Sequence, residues 1–129
     1  MNDMRIDARR IREITTSAYL PVEEPLQFKS DGKCIVYWMS RDQRIQDNWA
    51  LLTALHEAAK RKVNVMIAFT LVPRFLDATI RQFDFMLKGI SEAQKTAHSL
   101  GIPFHFFLEK DPAKAIVTFA NSVKAGVIS

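Results

Sequence analysis

Apolar residues in this chain come in four short continuous runs: Lys33–Met39, Val63–Leu71, Pro103–Leu108 and Gly126–Ser129. Each is bounded by glycine, proline or charge and is rich in β-branched and aromatic residues. Such runs predict strands buried on both faces. Between them the apolar positions recur every third or fourth residue, which predicts three amphipathic helices. Over 45–61 the stripe is Leu51, Leu52, Leu55, Ala58 and Ala59. Over 79–100 it is Ile80, Phe83, Leu87, Ile90 and Ala97, and over 112–124 it is Ala113, Ile116, Val117 and Ala120. Asp111 is placed to cap the last helix, with Pro112 at its first position. Gly101 and Gly126 stand where a helix must end before the next strand. Strict strand–helix alternation implies right-handed crossovers, hence an α/β fold with a parallel sheet and helices on both faces.

Residues 1–32 break this pattern. Ile6, Ile11 and Ile14 lie among Arg5, Arg9, Arg10 and Arg12, consistent with a short basic amphipathic helix over 3–16. Thr15 to Lys33 holds Pro21, Pro25 and Gly32 without periodicity and reads as a tether. The expected division is a basic helix and tether over 1–32 and an α/β domain over 33–129. Gly126-Val127-Ile128-Ser129 looks like a strand cut at its exit, so a fragment of a longer gene product is expected.

At 129 residues, with 48% hydrophobic and 25% charged residues, the composition is that of one soluble globular domain. No apolar run approaches the roughly 20 residues that cross a bilayer, and the N-terminus lacks the apolar core of a signal peptide. Cys34 is the single cysteine, so no internal disulfide can form and the cytoplasm is the expected compartment. The net charge of +4 is concentrated in the N-terminal arginines, which a solvated helix face explains. Charge alone does not make this a DNA-binding protein.

Several chemistries are excluded. No G-x-G-x-x-G or P-loop pattern occurs, and none of the four glycines lies in a loop leaving a strand, so phosphate cradling by a glycine turn is ruled out. His56, His98 and His105 fall on different elements without metal-ligand spacing. What remains is the edge where strands deliver their carboxyl ends, the ligand side of open α/β sheets. There the first strand runs into Ser40-Arg41-Asp42-Gln43-Arg44. Asp42 or Asp47 is expected to cap the following helix, with Arg41 and Arg44 clamping the carboxylates. Two readings stand: an ion-pair network that holds the loop, or a rigid loop that lines a ligand cleft. Trp49, Phe75 and Phe85 fall off the core stripes near this edge. That placement suits a flat apolar ligand, an interdomain contact, or ordinary side packing.

The wording of these loops carries a resemblance. Tyr37-Trp38-Met39-Ser40-Arg41-Asp42-Gln43-Arg44, followed by Asp47-Asn48-Trp49-Ala50-Leu51-Leu52, closely resembles the first strand, loop and helix of class II cyclobutane pyrimidine dimer photolyases. Phe75-Leu76-Asp77-Ala78-Thr79-Ile80-Arg81-Gln82-Phe83 and Phe85-Met86-Leu87-Lys88-Gly89-Ile90 look like that family's next loop and long helix. Ile102-Pro103-Phe104 matches its third strand. The resemblance implies a three-layer, Rossmann-like N-terminal domain with strand order 3-2-1-4. In the family, a further strand, a linker and an all-helical domain follow. That helical domain holds FAD, the electron-transfer tryptophans and the lesion pocket, so no catalytic residue maps onto this chain.

Some members bind a light-harvesting antenna, often a deazaflavin, against the N-terminal domain. The strand-end positions that could line such a pocket here are Met39, Ser40, Arg41, Leu71, Phe75, Phe85 and Leu108. The implied function is the antenna and scaffold domain of an enzyme that repairs UV-induced pyrimidine dimers with light, silent by itself. The implied partners are the helical domain and, through the parent protein, UV-damaged DNA. Self-association through Phe75, Phe85 and the last strand is also expected. The alternatives are a free-standing nucleotide- or flavin-binding module and a cryptochrome-like signalling domain. A reading frame longer by roughly 300 residues, a large helical domain, separates the first reading from these.

Overall fold

Cys34–Met39 forms a strand because both its faces and both its edges are covered. Every residue in it except Trp38 is buried, and a parallel neighbour pairs with it on each side. In the computed structural model the described residues are 28–73 and 79–129; the expected helix at 3–16 and most of the tether lie outside them. The elements are β1 (Cys34–Met39), α1 (Trp49–Arg61), β2 (Asn64–Leu71), α2 (Ile80–Ser99), β3 (Phe104–Leu108), α3 (Pro112–Ser122) and β4 (Ala125–Ile128). The sheet is wholly parallel and its order is β3-β2-β1-β4, as the resemblance implied.

Alternation along the strands sorts the core into two layers. Ile35, Tyr37 and Met39 of β1 join Val65, Ile67, Phe69 and Leu71 of β2 beneath α1 and α2. Cys34, Val36 and Ala68 point the other way and meet Ile116 and Ala120 of α3. The result is a three-layer, Rossmann-like α/β sandwich. Full burial of a side chain such as Ile67 contributes about 1.5–3 kcal/mol over leaving it in water, so the two middle strands anchor the fold. The Cys34 thiol is inert in this setting: burial pushes its pKa up, and its Sγ donates to the Val123 carbonyl.

Several sequence expectations shift. The run at β3 is not buried on both faces, because β3 is an edge strand. Phe106 is 42% and Leu108 60% exposed, although Phe106 still leans on Phe69 with ring centroids 5.7 Å apart. On α1 the buried face is Leu51, Ala54 and Ala58, and Ala59 is exposed. On α2 it is Ile90, Ala93 and Ala97, which helical spacing extends through Met86 and Phe83. Ile80 and Leu87 are left on the flank, 89% and 42% exposed. On α3, Ile116 and Ala120 are buried with Phe119 and Val123 beside them, while Ala113 and Val117 face solvent.

Caps set the helix starts. The Asp111 side chain accepts from the Lys114 amide with Pro112 in the first turn, as expected. Thr79 and Gln82 form a reciprocal capping box on α2. Gly101 takes the left-handed turn after α2 (φ 72°). After α3 that conformation falls to Lys124 (φ 54°), and Gly126 lies inside β4, where the Phe28 ring leaves no room for a side chain.

Candidate functional site

The carboxyl ends of β1, β2 and β3 line one edge of the sheet, and the loop after β1 is its most tightly built part. Its organiser is Asn48, which is 0% exposed. The Asn48 Oδ1 accepts from the Leu51 amide at 3.0 Å and so caps α1. Its Nδ2 shares its two N–H groups among the Tyr37 hydroxyl at 2.8 Å, the Arg44 carbonyl at 3.0 Å and the Asp42 carbonyl at 3.1 Å. One side chain thereby joins the strand, the loop and the helix. Asp47 precedes it in the left-handed region (φ 52°), which turns the chain into the cap. The Arg44 guanidinium donates to the Asp47 carbonyl, and Gln43 closes back on the Ser40 carbonyl.

The expectation that Asp42 or Asp47 caps α1 and that arginines clamp their carboxylates is corrected here. The ion pairs among the described residues join Glu57 to Lys60 and Arg61, and Asp84 to Lys88; none lies in this loop. The physical reason is the donor inventory. The buried point between two carbonyls needs an N–H donor, and the helix start needs an acceptor; an amide has both and a carboxylate has no donor. The sequence does carry a signal for Asn48: it stands just ahead of the apolar-periodic run that begins at Leu51, where an N-cap belongs.

Tyr37 is the strand's contribution to this knot. Burial pushes its hydroxyl pKa up, the bond from Asn48 opposes that, and the charge of Asp42 adds to it. The hydroxyl therefore stays protonated and serves the Asn48 contact. A second tie crosses to β2, where Trp38 Nε1 donates to Thr70 Oγ1 at 3.1 Å. Among the described residues no buried side-chain polar atom lacks a partner.

The positions proposed from strand ends divide into floor and surface. Met39 and Leu71 are 1% and 9% exposed and belong to the core beneath the edge. Ser40 and Arg41 are exposed at the start of the loop. Leu108 is the register partner of Leu71 and shows 60% of its surface. Phe85 is 82% exposed on α2, and Phe75 lies outside the described residues. Ser40, Arg41, Leu71 and Leu108 are thus brought to one sheet edge. Phe85 sits on the α2 flank that continues, at helical spacing, through Gly89, Glu92 and Thr96.

That flank forms a groove with the β1–α1 loop that the sequence did not disclose. Gln43, Arg44, Ile45, Gln46 and Asp47 make one wall, and Gly89, Glu92, Ala93 and Thr96 the other. Its volume of about 550 Å³ falls in the roughly 300–1,000 Å³ range of small-molecule sites. At Gly89 the groove is open, and a Cβ there would meet nothing within 4 Å. Among the described residues no cluster of histidine, cysteine and acidic groups could hold a metal, and no helix is long and apolar enough to cross a membrane.

Comparison with known proteins decides the family. The model of the DNA photolyase family matches residues 35–129. The chain belongs to the DNA photolyase family. A deoxyribodipyrimidine photo-lyase from Potorous tridactylus is 42% identical over 117 residues, covering 89% of this chain and 20% of the relative. One from Arabidopsis thaliana is 39% identical over 116 residues, covering 90% of this chain and 22% of the relative. The chain therefore spans about a fifth of the length of these relatives. In fold it is similar to a universal stress protein from Archaeoglobus fulgidus, with a TM-score of 0.50 at 24% identity over 74% of this chain and 72% of the other. That likeness speaks for the α/β architecture alone. The photolyase-family domain of this chain thus presents Ser40, Arg41, Leu71 and Leu108 along one carboxyl edge of its sheet.

Proposed function

We propose that this chain is the N-terminal antenna and scaffold domain of a class II photolyase, which repairs UV-induced cyclobutane pyrimidine dimers using light. The observation that carries the reading is the extent of the match: residues 35–129 fit the family model, yet this length corresponds to only 20% of the Potorous relative. In this reading the FAD and the lesion pocket belong to the helical domain outside the chain, and UV-damaged DNA is met through that domain. In the same reading the basic N-terminal segment leads into the α/β domain, and the protein acts in the cytoplasm.

The carboxyl edge is the antenna side of the same proposal. A deazaflavin would supply light absorption there. Leu108 offers it apolar contact from the edge and Phe85 from the flank of α2, Ser40 and Arg41 offer donors to its polar rim, and Met39 and Leu71 form the floor. An exposed leucine and an exposed arginine along one sheet edge suit a planar, anionic chromophore. The apolar surface at Phe85 also suits the missing domain as a cover.

A chimera tests the function. Replacing the matching fifth of the Potorous enzyme with this chain is expected to preserve stoichiometric FAD and light-dependent splitting of thymine dimers. The chain alone is expected to show neither. A chimera that folds and binds FAD but repairs nothing would count against the class of reaction. Stoichiometric flavin on the isolated chain would favour a free-standing flavin module instead.

A further inference from the structure

The parallel strands all begin at the edge of the sheet opposite the candidate site, and lysines from three separate turns converge there. Lys33 immediately precedes β1, Lys124 immediately precedes β4, and Lys62 stands two residues before β2. β1 lies between the other two strands, with Cys34 in register with Asn64 on one side and Ala125 on the other. At a strand spacing of about 4.8 Å the three starts fall within roughly 10 Å. The backbone joins these turns directly. The Lys33 amide donates to the Lys124 carbonyl at 2.8 Å, and the Lys29 amide to the Gly126 carbonyl at 3.2 Å.

Lys29, Lys33, Lys62 and Lys124 are all exposed, and none of them forms an ion pair among the described residues. Asp31 is the single acidic residue in these turns. The neighbouring Lys60 and Arg61 are already committed: both pair with Glu57, and the Arg61 guanidinium lies over Phe28, 5.1 Å from the ring centroid. The carboxyl edge is different, because Arg41 and Arg44 there alternate with Asp42 and Asp47, and Lys110 stands between Glu109 and Asp111.

Helix ends explain part of this charge, since cations after α1 and α3 complement the helix dipoles. They do not explain Lys29 and Lys33, which follow no described helix. Backbone conformation adds a second observation. Lys62 (φ 56°) and Lys124 (φ 54°) both hold the left-handed conformation that favours glycine. After α2, where the chain leads to the far strand β3, that position is indeed glycine, Gly101. Around β1 the unpaired charge stands in place of the easier residue.

We propose that this basic edge is a contact surface for the phosphate backbone of double-stranded DNA. A duplex presents one negative charge per about 1.7 Å of its axis, so it meets several of these lysines at once, which a small anion does not. The choice of DNA over other polyanions rests on the photolyase reading. The surface itself lies away from the carboxyl edge and requires neither an antenna nor the helical domain. Phosphate contacts read no base, so undamaged and dimer-containing duplexes should bind alike.

Fluorescence anisotropy of a labelled, undamaged duplex with the full 129-residue chain tests this between about 50 and 200 mM salt. Each lysine on a phosphate contributes about −0.9 to the slope of log affinity against log salt. Lys33→Gln/Lys124→Gln should therefore make the slope shallower by about 1.8, so that the same rise in salt costs about tenfold less affinity than in the parent. Lys95→Gln/Lys114→Gln removes the same charge from exposed positions outside this edge and should keep the parent's slope. Circular dichroism checks that both variants are folded. An unchanged slope in Lys33→Gln/Lys124→Gln overturns the proposal: the lysines then serve only the helix ends, or Arg5, Arg9, Arg10 and Arg12 carry any binding. That failure leaves the photolyase reading to its own chimera test. Binding to phosphatidylserine-containing vesicles with none to the duplex would assign the surface to a membrane and overturn the proposal as well.

Discussion

Asn48→Ala is expected to lower the unfolding free energy by about 3 kcal/mol: roughly 1 for the lost helix cap and roughly 2 for buried acceptors left without a donor. The Asp42 and Arg44 carbonyls and the Tyr37 hydroxyl all lose the same partner at once. Asn48→Asp is the sharper comparison. It keeps the acceptor that caps α1 but replaces the donor with a charge facing two carbonyls, so it should be at least as damaging. By contrast, Asp42→Ala should change stability by no more than about 0.5 kcal/mol, as exposed surface substitutions do. The exposed Asp42 contributes its backbone oxygen to the knot. Urea unfolding of the three variants separates the cases. A large effect at Asp42 with none at Asn48 would restore the charge clamp that the sequence suggested.

Ile116→Ala is expected to cost about 3 kcal/mol, within the 2–5 range for truncating a buried isoleucine. Ile116 is 1% exposed and, with Ala120, carries the α3 side of the smaller core layer. Among the described residues α3 is the only helix on that face, so none of the other described helices flanks the cavity. The same change at Val117, one residue on and 54% exposed, should be nearly silent. Thermal unfolding of the pair checks which face of α3 is buried, and equal effects would mean the helix is rotated from the orientation described.

Both predictions turn on something periodicity does not encode. Element type and order could be read from the chain, because uninterrupted apolar runs and three-to-four spacing are local patterns. The boundaries came within a few residues, and the Asp111–Pro112 start of α3 stands as expected. The rotation of α2 and α3 was harder to see. Ile80, Leu87 and Val117 are as apolar as the residues that ended up buried, and one extra apolar position blurs the stripe. Only packing on the sheet selects Met86 over Leu87 and Phe119 over Val117.

The sites followed the same division. Residue types at the strand ends, Ser40 and Arg41 beside Leu71 and Leu108, could be placed on one edge from the α/β pattern alone, since parallel strands all deliver their carboxyl ends to the same side. The groove between Gln43–Asp47 and Gly89–Thr96 needed two segments forty residues apart to be set side by side. Likewise nothing local marks Phe28 as the partner of Gly126 and Arg61. Local hydrogen-bonding and hydrophobic period determine which stretches of this protein become strand or helix. Which polar group sits in the dry interior, which flank of a helix meets solvent and which glycine must stay bare depend on contacts between distant segments, and those only the tertiary structure decided.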